Sequence, residues 1–70
     1  MNDKLTTDAP NGVDVVFADG NAREFPGIEK VNVTAGEFVL YSTAGVEVII
    51  PKKSIKYIMT GENVSFSRVR

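Results

Sequence analysis

A run of β-forming residues at positions 37–50 constrains the fold of this chain most strongly. It consists of Glu-Phe-Val-Leu-Tyr-Ser-Thr, the small pair Ala44-Gly45, and Val-Glu-Val-Ile-Ile. Valine, isoleucine, threonine and aromatic side chains fit the pleated surface of a sheet, and small residues between two such runs favour a reversal of the chain. The stretch therefore predicts a β-hairpin.

Apolar residues are consecutive in both halves of this hairpin, at positions 38–41 and 48–50. Successive side chains of a strand point to opposite faces, so both faces of both strands carry apolar groups. A hairpin at an exposed edge would alternate apolar with polar residues instead. The pattern predicts a place in the middle of a curled sheet or closed barrel, or a face that is covered in a dimer.

Short β-type runs also precede and follow the hairpin. We predict strands at residues 13–18, 21–25, 28–34, 55–60 and 64–69, with one 3₁₀ turn at residues 52–54. The last run is expected at an edge or added to a partner's sheet. Short strands separated by glycine-containing turns are typical of small barrels and sandwiches. We therefore predict a single all-β domain of five or six antiparallel strands at residues 13–70, preceded by a flexible arm at residues 1–12.

The size of the chain favours self-association. With 70 residues, a domain buries a smaller share of its surface than a larger one and usually needs an additional source of stability. The sequence has no cysteine and no histidine, which excludes disulfides and the commonest zinc ligands. We expect a homo-oligomer, most simply a two-fold dimer, whose interface is formed by Val39, Tyr41, Ile49 and Met59.

The residues offer little for catalysis. Nucleophilic catalysis usually needs a base such as histidine, and the neighbours Ser54, Lys53 and Lys56 are typical of an ordinary polar turn. Asp14 and Glu24 are expected to face each other across the first hairpin, as solvated charges. We predict that the protein is not an enzyme and uses no cofactor and no metal.

Charge is distributed unevenly along the chain. Residues 1–50 contain eight acidic and three basic side chains, whereas residues 51–70 contain one acidic and five basic ones. The basic residues either pair with acidic neighbours or form a patch for an anionic partner. Such a patch would bind nucleic acid through Lys52, Lys53, Lys56 and Arg68, although a net charge of -1 argues against non-specific affinity.

The order of the β-type runs resembles a known class of small barrels. Five segments in order are similar to the path of SH3-like barrels, including the Sm-like family. They are residues 13–20, a bent stretch at Gly27-Ile28, residues 38–41, residues 46–50 and the segment Pro-Lys-Lys-Ser-Ile before a last short strand. This resemblance covers about residues 13–60 and implies an SH3-like open barrel or β-roll. In the Sm-like family the basic turn, here Lys52 and Lys53, lines an RNA-binding pore of a ring oligomer. The family's N-terminal helix has no counterpart in residues 1–12.

Two functions follow as expectations. The first is a non-enzymatic protein-interaction or assembly module that acts as a homo-oligomer and suits a phage or mobile-element accessory protein. The second is a small nucleic-acid-binding barrel of the Sm-like type. No apolar run long enough for a secretory signal or a membrane span is present, so a cytoplasmic protein without membrane association is expected.

Overall fold

Seven strands and one 3₁₀ turn make up the part of the chain that the structure describes. A computed structural model describes residues 10–68, and this part is all-β, as the sequence predicted. The strands are β1 (Val13–Phe17), β2 (Ala22–Phe25), β3 (Lys30–Val33), β4 (Glu37–Ser42), β5 (Gly45–Pro51), β6 (Ile55–Thr60) and β7 (Ser65–Arg68), and the 3₁₀ turn η1 (Lys52–Ser54) lies between β5 and β6. The total of five or six strands was too low, because all seven β-type runs predicted individually, including the short C-terminal one, form strands.

The strands form two sheets and do not close into a barrel. One sheet has the order β2-β1-β6 and the other the order β5-β4-β3-β7. All pairs are antiparallel except β3 with β7, so the prediction of an entirely antiparallel fold is corrected. Thr60 and Phe25 both lie opposite Val13, so β6 ends beside the point where the chain leaves β2 for β3. From that point β7 runs alongside β3 in the same direction.

The predicted hairpin is formed by β4 and β5. Leu40 lies opposite Val48 and Val39 opposite Ile49, and Gly45 turns the chain with a φ of 118°, a conformation that glycine adopts without strain. Only β4 is central, however. Within residues 10–68, β5 has a neighbouring strand on one side alone. Of the places that the sequence allowed for the hairpin, the middle of a sheet holds for β4 alone, and β5 is apolar and at an edge.

The core lies between the two sheets. Its buried members come from both sheets and from two connecting segments: Val13, Val15, Ile28, Val31, Leu40, Ile50 and Val64. The residues with fully buried side chains alternate along β1 and β3, as period-two side-chain placement requires. Half-buried aromatic and aliphatic side chains pack against this cluster.

A bend at Pro26-Gly27 carries the chain from one sheet to the other. Gly27 has a φ of 71°, and proline cannot donate to a ladder, so β2 ends here. The next residue, Ile28, is 1% exposed. Its N–H donates to the carbonyl of Asn11 (2.8 Å), and the side-chain amide of Asn11 donates back to the carbonyl of Ile28 (3.2 Å). The bend is thereby fixed to the start of the domain.

The last residues of the predicted N-terminal arm already form backbone hydrogen bonds with the β domain. Asn63 N–H donates to the carbonyl of Pro10 and Gly61 N–H to that of Gly12, both over 2.8 Å. Residues 10–12 of the predicted arm are thus tied to the β6–β7 turn. Residues 1–9 of that arm, and the end of the predicted last strand at Val69, lie outside the described residues.

Candidate interaction surface

The four-stranded sheet has one face on the core and one face directed away from it. Leu40 and Val31 are buried in the core, so their strand neighbours point to the outer face. Strand register gives two rows across this outer face: Ile49, Val39, Asn32 and Ser67, and then Val46, Tyr41, Lys30 and Ser65. The outer face therefore changes from apolar on β5 and β4 to polar on β3 and β7.

We call the apolar side of this face the apolar strip. It consists of Val39, Tyr41, Val46 and Ile49. Val46 is 54% and Ile49 52% exposed, whereas Val39 is only 8% exposed. Tyr41 is half-buried, and the Lys30 ammonium lies 4.7 Å from its ring centre, within cation–π range. The β4 part of the apolar strip is thus largely covered by its neighbours, and the β5 part remains open to solvent.

A β-bulge places Val46 in the strip. Leu40 pairs with Val48, but the next pair is Tyr41 with Val46, so Glu47 is the extra residue of β5. The Ser42 hydroxyl donates to Glu47 Oε2 (2.7 Å) and accepts from the N–H of Ala44 (3.0 Å). These bonds hold the turn and the bulge together, and the bulge brings an aliphatic side chain opposite Tyr41.

The four predicted interface residues are divided between the two sheets. Val39, Tyr41 and Ile49 lie together on the outer face of the four-stranded sheet. Met59 belongs to β6 and lies opposite Asp14 in the three-stranded sheet. Val46, which was not among the predicted interface residues, takes the fourth place in the strip. Regular alternation from Val48 would have put Val46 on the core face, and only the bulge changes this.

The predicted basic residues gather at one end of the molecule. The N–H of Lys52 donates to the carbonyl of Gly36 (2.9 Å), which ties η1 to the β3–β4 turn. Arg68 lies opposite Val33, the last residue of β3 before that same turn. Lys56 follows Ile55, whose partner is the last residue of β1. We call this set the basic end: Lys52, Lys53, Lys56 and Arg68.

An open cleft of about 610 Å³ lies at the basic end, between the β1–β2 turn and η1. Its walls are formed by Phe17, Ala18, Asp19, Ile50, Pro51, Lys53 and Ser54. The carboxylate of Asp19 accepts hydrogen bonds from the backbone and side chain of Asn21, at 2.9 and 3.1 Å. Those bonds hold the carboxylate to the turn, and the cleft therefore presents one cationic group, Lys53, and one anionic group, Asp19.

The two exposed aromatic side chains, Tyr57 and Phe66, lie in different sheets. Tyr57 is 37% exposed in the three-stranded sheet, opposite Val16. Phe66 is 48% exposed on β7, and its ring centre is 6.4 Å from that of Phe38. Because the two aromatic residues belong to different sheets, the continuous stacking platform used for single-stranded nucleic acid is not assembled from them.

The candidates for chemistry are dispersed. Asp14 and Glu24 are direct partners in the β1–β2 register, as expected, with Glu24 exposed and Asp14 half-buried. The carbonyl of Ser54 accepts a hydrogen bond from the N–H of Ala18 (2.9 Å). Ser54 therefore belongs to the contact between η1 and the β1–β2 turn. In residues 10–68, no three carboxylate, imidazole or thiol groups come together in a cluster that could hold a metal ion.

Over the described residues, no helix has the length and apolar character needed to cross a membrane.

Comparisons with known proteins add no relative. No protein-family model matches the chain, and neither a curated protein nor a solved structure matches it.

Proposed function

We propose that this protein is a non-enzymatic assembly module that associates with copies of itself through the apolar strip. The observation that carries the proposal is the exposure of two aliphatic side chains, Val46 and Ile49, on the same edge strand. Single exposed apolar residues are ordinary on protein surfaces, but these two adjoin Val39 and Tyr41 in one strip. Apolar side chains of this kind are stabilised when those of another chain pack against them.

The framework of the module supports the same proposal. The path from β1 to β6, with a strand interrupted at Pro26-Gly27 and one 3₁₀ turn before β6, supports our proposal that the framework is an SH3-like open roll. Such a roll is open at its sheet edges, and a small domain with open edges gains stability from a neighbouring copy. A protein partner would use the same apolar strip.

The energy available from these side chains is modest. Full burial of a valine or isoleucine contributes about 1.5–3 kcal/mol, so the exposed halves of Val46 and Ile49 contribute about 1 kcal/mol each. A two-fold dimer counts each twice, which gives about 4 kcal/mol. Association costs about 4–15 kcal/mol in lost freedom of motion. Side-chain burial alone therefore supports at most a weak dimer, and further contacts must contribute.

We expect Ile49→Lys to abolish self-association while leaving the fold intact. Residue 49 is 52% exposed, so a lysine is accommodated in the monomer, but two lysines in a two-fold interface repel each other and displace apolar contact. Sedimentation velocity over a range of concentrations should show a monomer–dimer equilibrium for the wild type and a monomer for Ile49→Lys. Circular dichroism should give the same spectrum for both.

Met59→Lys is the matched control for this experiment. It introduces the same charge on a strand of the other sheet, beside Asp14, and should leave the dimer unchanged. A wild-type protein that stays monomeric at millimolar concentration would contradict the proposed function.

A second candidate, nucleic-acid binding, is favoured by the gathering of four cations at the basic end. Neutralising phosphates releases counterions, so such binding would weaken steeply with salt. Lys53→Glu is expected to lower the affinity for single-stranded RNA or DNA by about 10-fold at low salt and to reduce the salt dependence.

Lys30→Glu provides the matched charge reversal for this second test. Lys30 lies on the outer face beside Tyr41, away from the basic end, so its reversal should change the affinity by no more than about 2-fold. Fluorescence anisotropy with labelled oligonucleotides measures both variants. The absence of binding at low salt, or equal effects of the two reversals, would rule out the basic end as a nucleic-acid site.

A further inference from the structure

The four sheet edges differ in how well they are protected against pairing. Among residues 10–68, β2 and β7 are four-residue edge strands that carry charged side chains, and β6 carries Lys56. Short strands and charges are the usual means of blocking edge-to-edge pairing. β5 is the longest strand, with seven residues, and Glu47 is its one charged residue. The bulge at Glu47 and Pro51, which cannot donate to a ladder, limit regular pairing of β5 to the segment between them. That segment, Val48, Ile49 and Ile50, is uncharged and apolar, and it is the part of the sheet edges most open to another strand.

We propose that two copies of the chain join edge to edge through β5, antiparallel about a two-fold axis that passes beside Ile49. This inference rests on the proposed self-association and specifies its geometry. The two four-stranded sheets would continue into one sheet of eight strands. The backbone hydrogen bonds of the new strand pair supply the contacts that the apolar strip lacks on its own.

The pattern of side chains in β5 selects this register. With Ile49 opposite Ile49 of the second copy, the two half-exposed side chains meet as a direct cross-strand pair on the outer face. On the other face, Val48 would lie opposite Ile50, so that apolar groups again oppose each other. The outer row would read Val39, Ile49, Ile49, Val39 through the two copies.

Charge placement favours the same register. Glu47 would lie near Pro51 of the second copy and its η1, where Lys52 and Lys53 provide two positive charges against one like charge, Glu37, on the other side of Pro51. In the alternative register, Val48 would lie opposite Val48 of the second copy. Glu47 would then lie opposite Ile49, and its carboxylate would be buried against the aliphatic contact. The Ile49-centred register therefore combines apolar burial with charge complementarity.

The absence of cysteine from the sequence makes a direct test possible, because every thiol is then an introduced one. In the proposed dimer, Ile49→Cys places two thiols on directly opposed residues, which is within disulfide reach. Asn32→Cys lies in the same row but two strands further in, so its copies are separated by five strand spacings, about 24 Å. We expect oxidation to yield a disulfide-linked dimer for Ile49→Cys and none for Asn32→Cys.

A spin label on Asn32→Cys measures the geometry with β5 left intact. Double electron–electron resonance on the full chain should give an inter-label distance near 24 Å, broadened by the label arms. A dimer in which Asn32→Cys crosslinks, or in which the labels lie within about 15 Å, has the outer faces stacked at the spacing of packed sheets. That result would overturn the edge pairing and leave the proposed self-association standing. A wild-type monomer would remove both.

Discussion

Leu40→Ala is expected to lower the free energy of unfolding by about 3 kcal/mol. Leu40 is 0% exposed in the middle of β4, with Val31 and Val48 as its cross-strand partners. Removing its side chain leaves a cavity between the two sheets that this small core cannot fill by relaxation. A domain of this size has a total stability of about 5–10 kcal/mol, so the loss is a large part of it. Urea titration followed by circular dichroism measures the change.

Val46→Thr serves as the control for the Leu40 experiment. Val46 is 54% exposed on the adjacent strand, and threonine keeps both its shape and its β propensity. It should change the free energy of unfolding by less than about 0.5 kcal/mol when both proteins are compared at a concentration that keeps them monomeric. A loss below about 1 kcal/mol for Leu40→Ala would contradict the assignment of Leu40 to the centre of the core.

Ile28→Ala is expected to cost about as much, roughly 3 kcal/mol, although Ile28 lies outside every strand. The side chain is 1% exposed and belongs to the same core cluster as Val13 and Leu40, which come from different sheets. Truncation therefore weakens the contact between the sheets as well as the bend that joins β2 to β3. Thermal and urea unfolding of the variant give the magnitude.

The neighbouring residue provides the comparison for Ile28. Glu29 is exposed, and its backbone N–H and carbonyl, which bond to Tyr41 and Ser65, are unaffected by a side-chain change. Glu29→Ala should therefore alter the free energy of unfolding by less than about 0.5 kcal/mol. Equal effects at positions 28 and 29 would mean that the bend is held by its backbone bonds rather than by burial of Ile28.

Local sequence patterns predicted most of the individual elements. The runs around Val13, Phe38 and Ile55 became strands because β-branched and aromatic residues fit a half-buried sheet, and the glycine-containing pairs between them became turns. The 3₁₀ turn at η1 also lies where Pro51 ends a strand and too few residues follow for a helix. These features depend on neighbours in sequence, so they can be recognised without the tertiary structure.

The candidate surface was predicted only in part. Val39, Tyr41 and Ile49 could be assigned together because they belong to one hairpin and share a face by alternation. Met59 was grouped with them on hydropathy alone, and the structure places it in the other sheet. Val46 was missed because a bulge is a deviation from regular pairing, and its position depends on how β4 and β5 fit together in three dimensions.

The sequence by itself determined the β character of this chain, its turns and the excess of apolar residues in β5. Only the tertiary structure decided that β5 lies at an edge, that β7 pairs in parallel with β3, and that Ile49 stays half exposed. The physical reason is that side-chain periodicity reports which residues seek burial, whereas strand order depends on contacts between segments far apart in sequence. The apolar strand that this order leaves at an edge is the feature on which the proposed self-association rests.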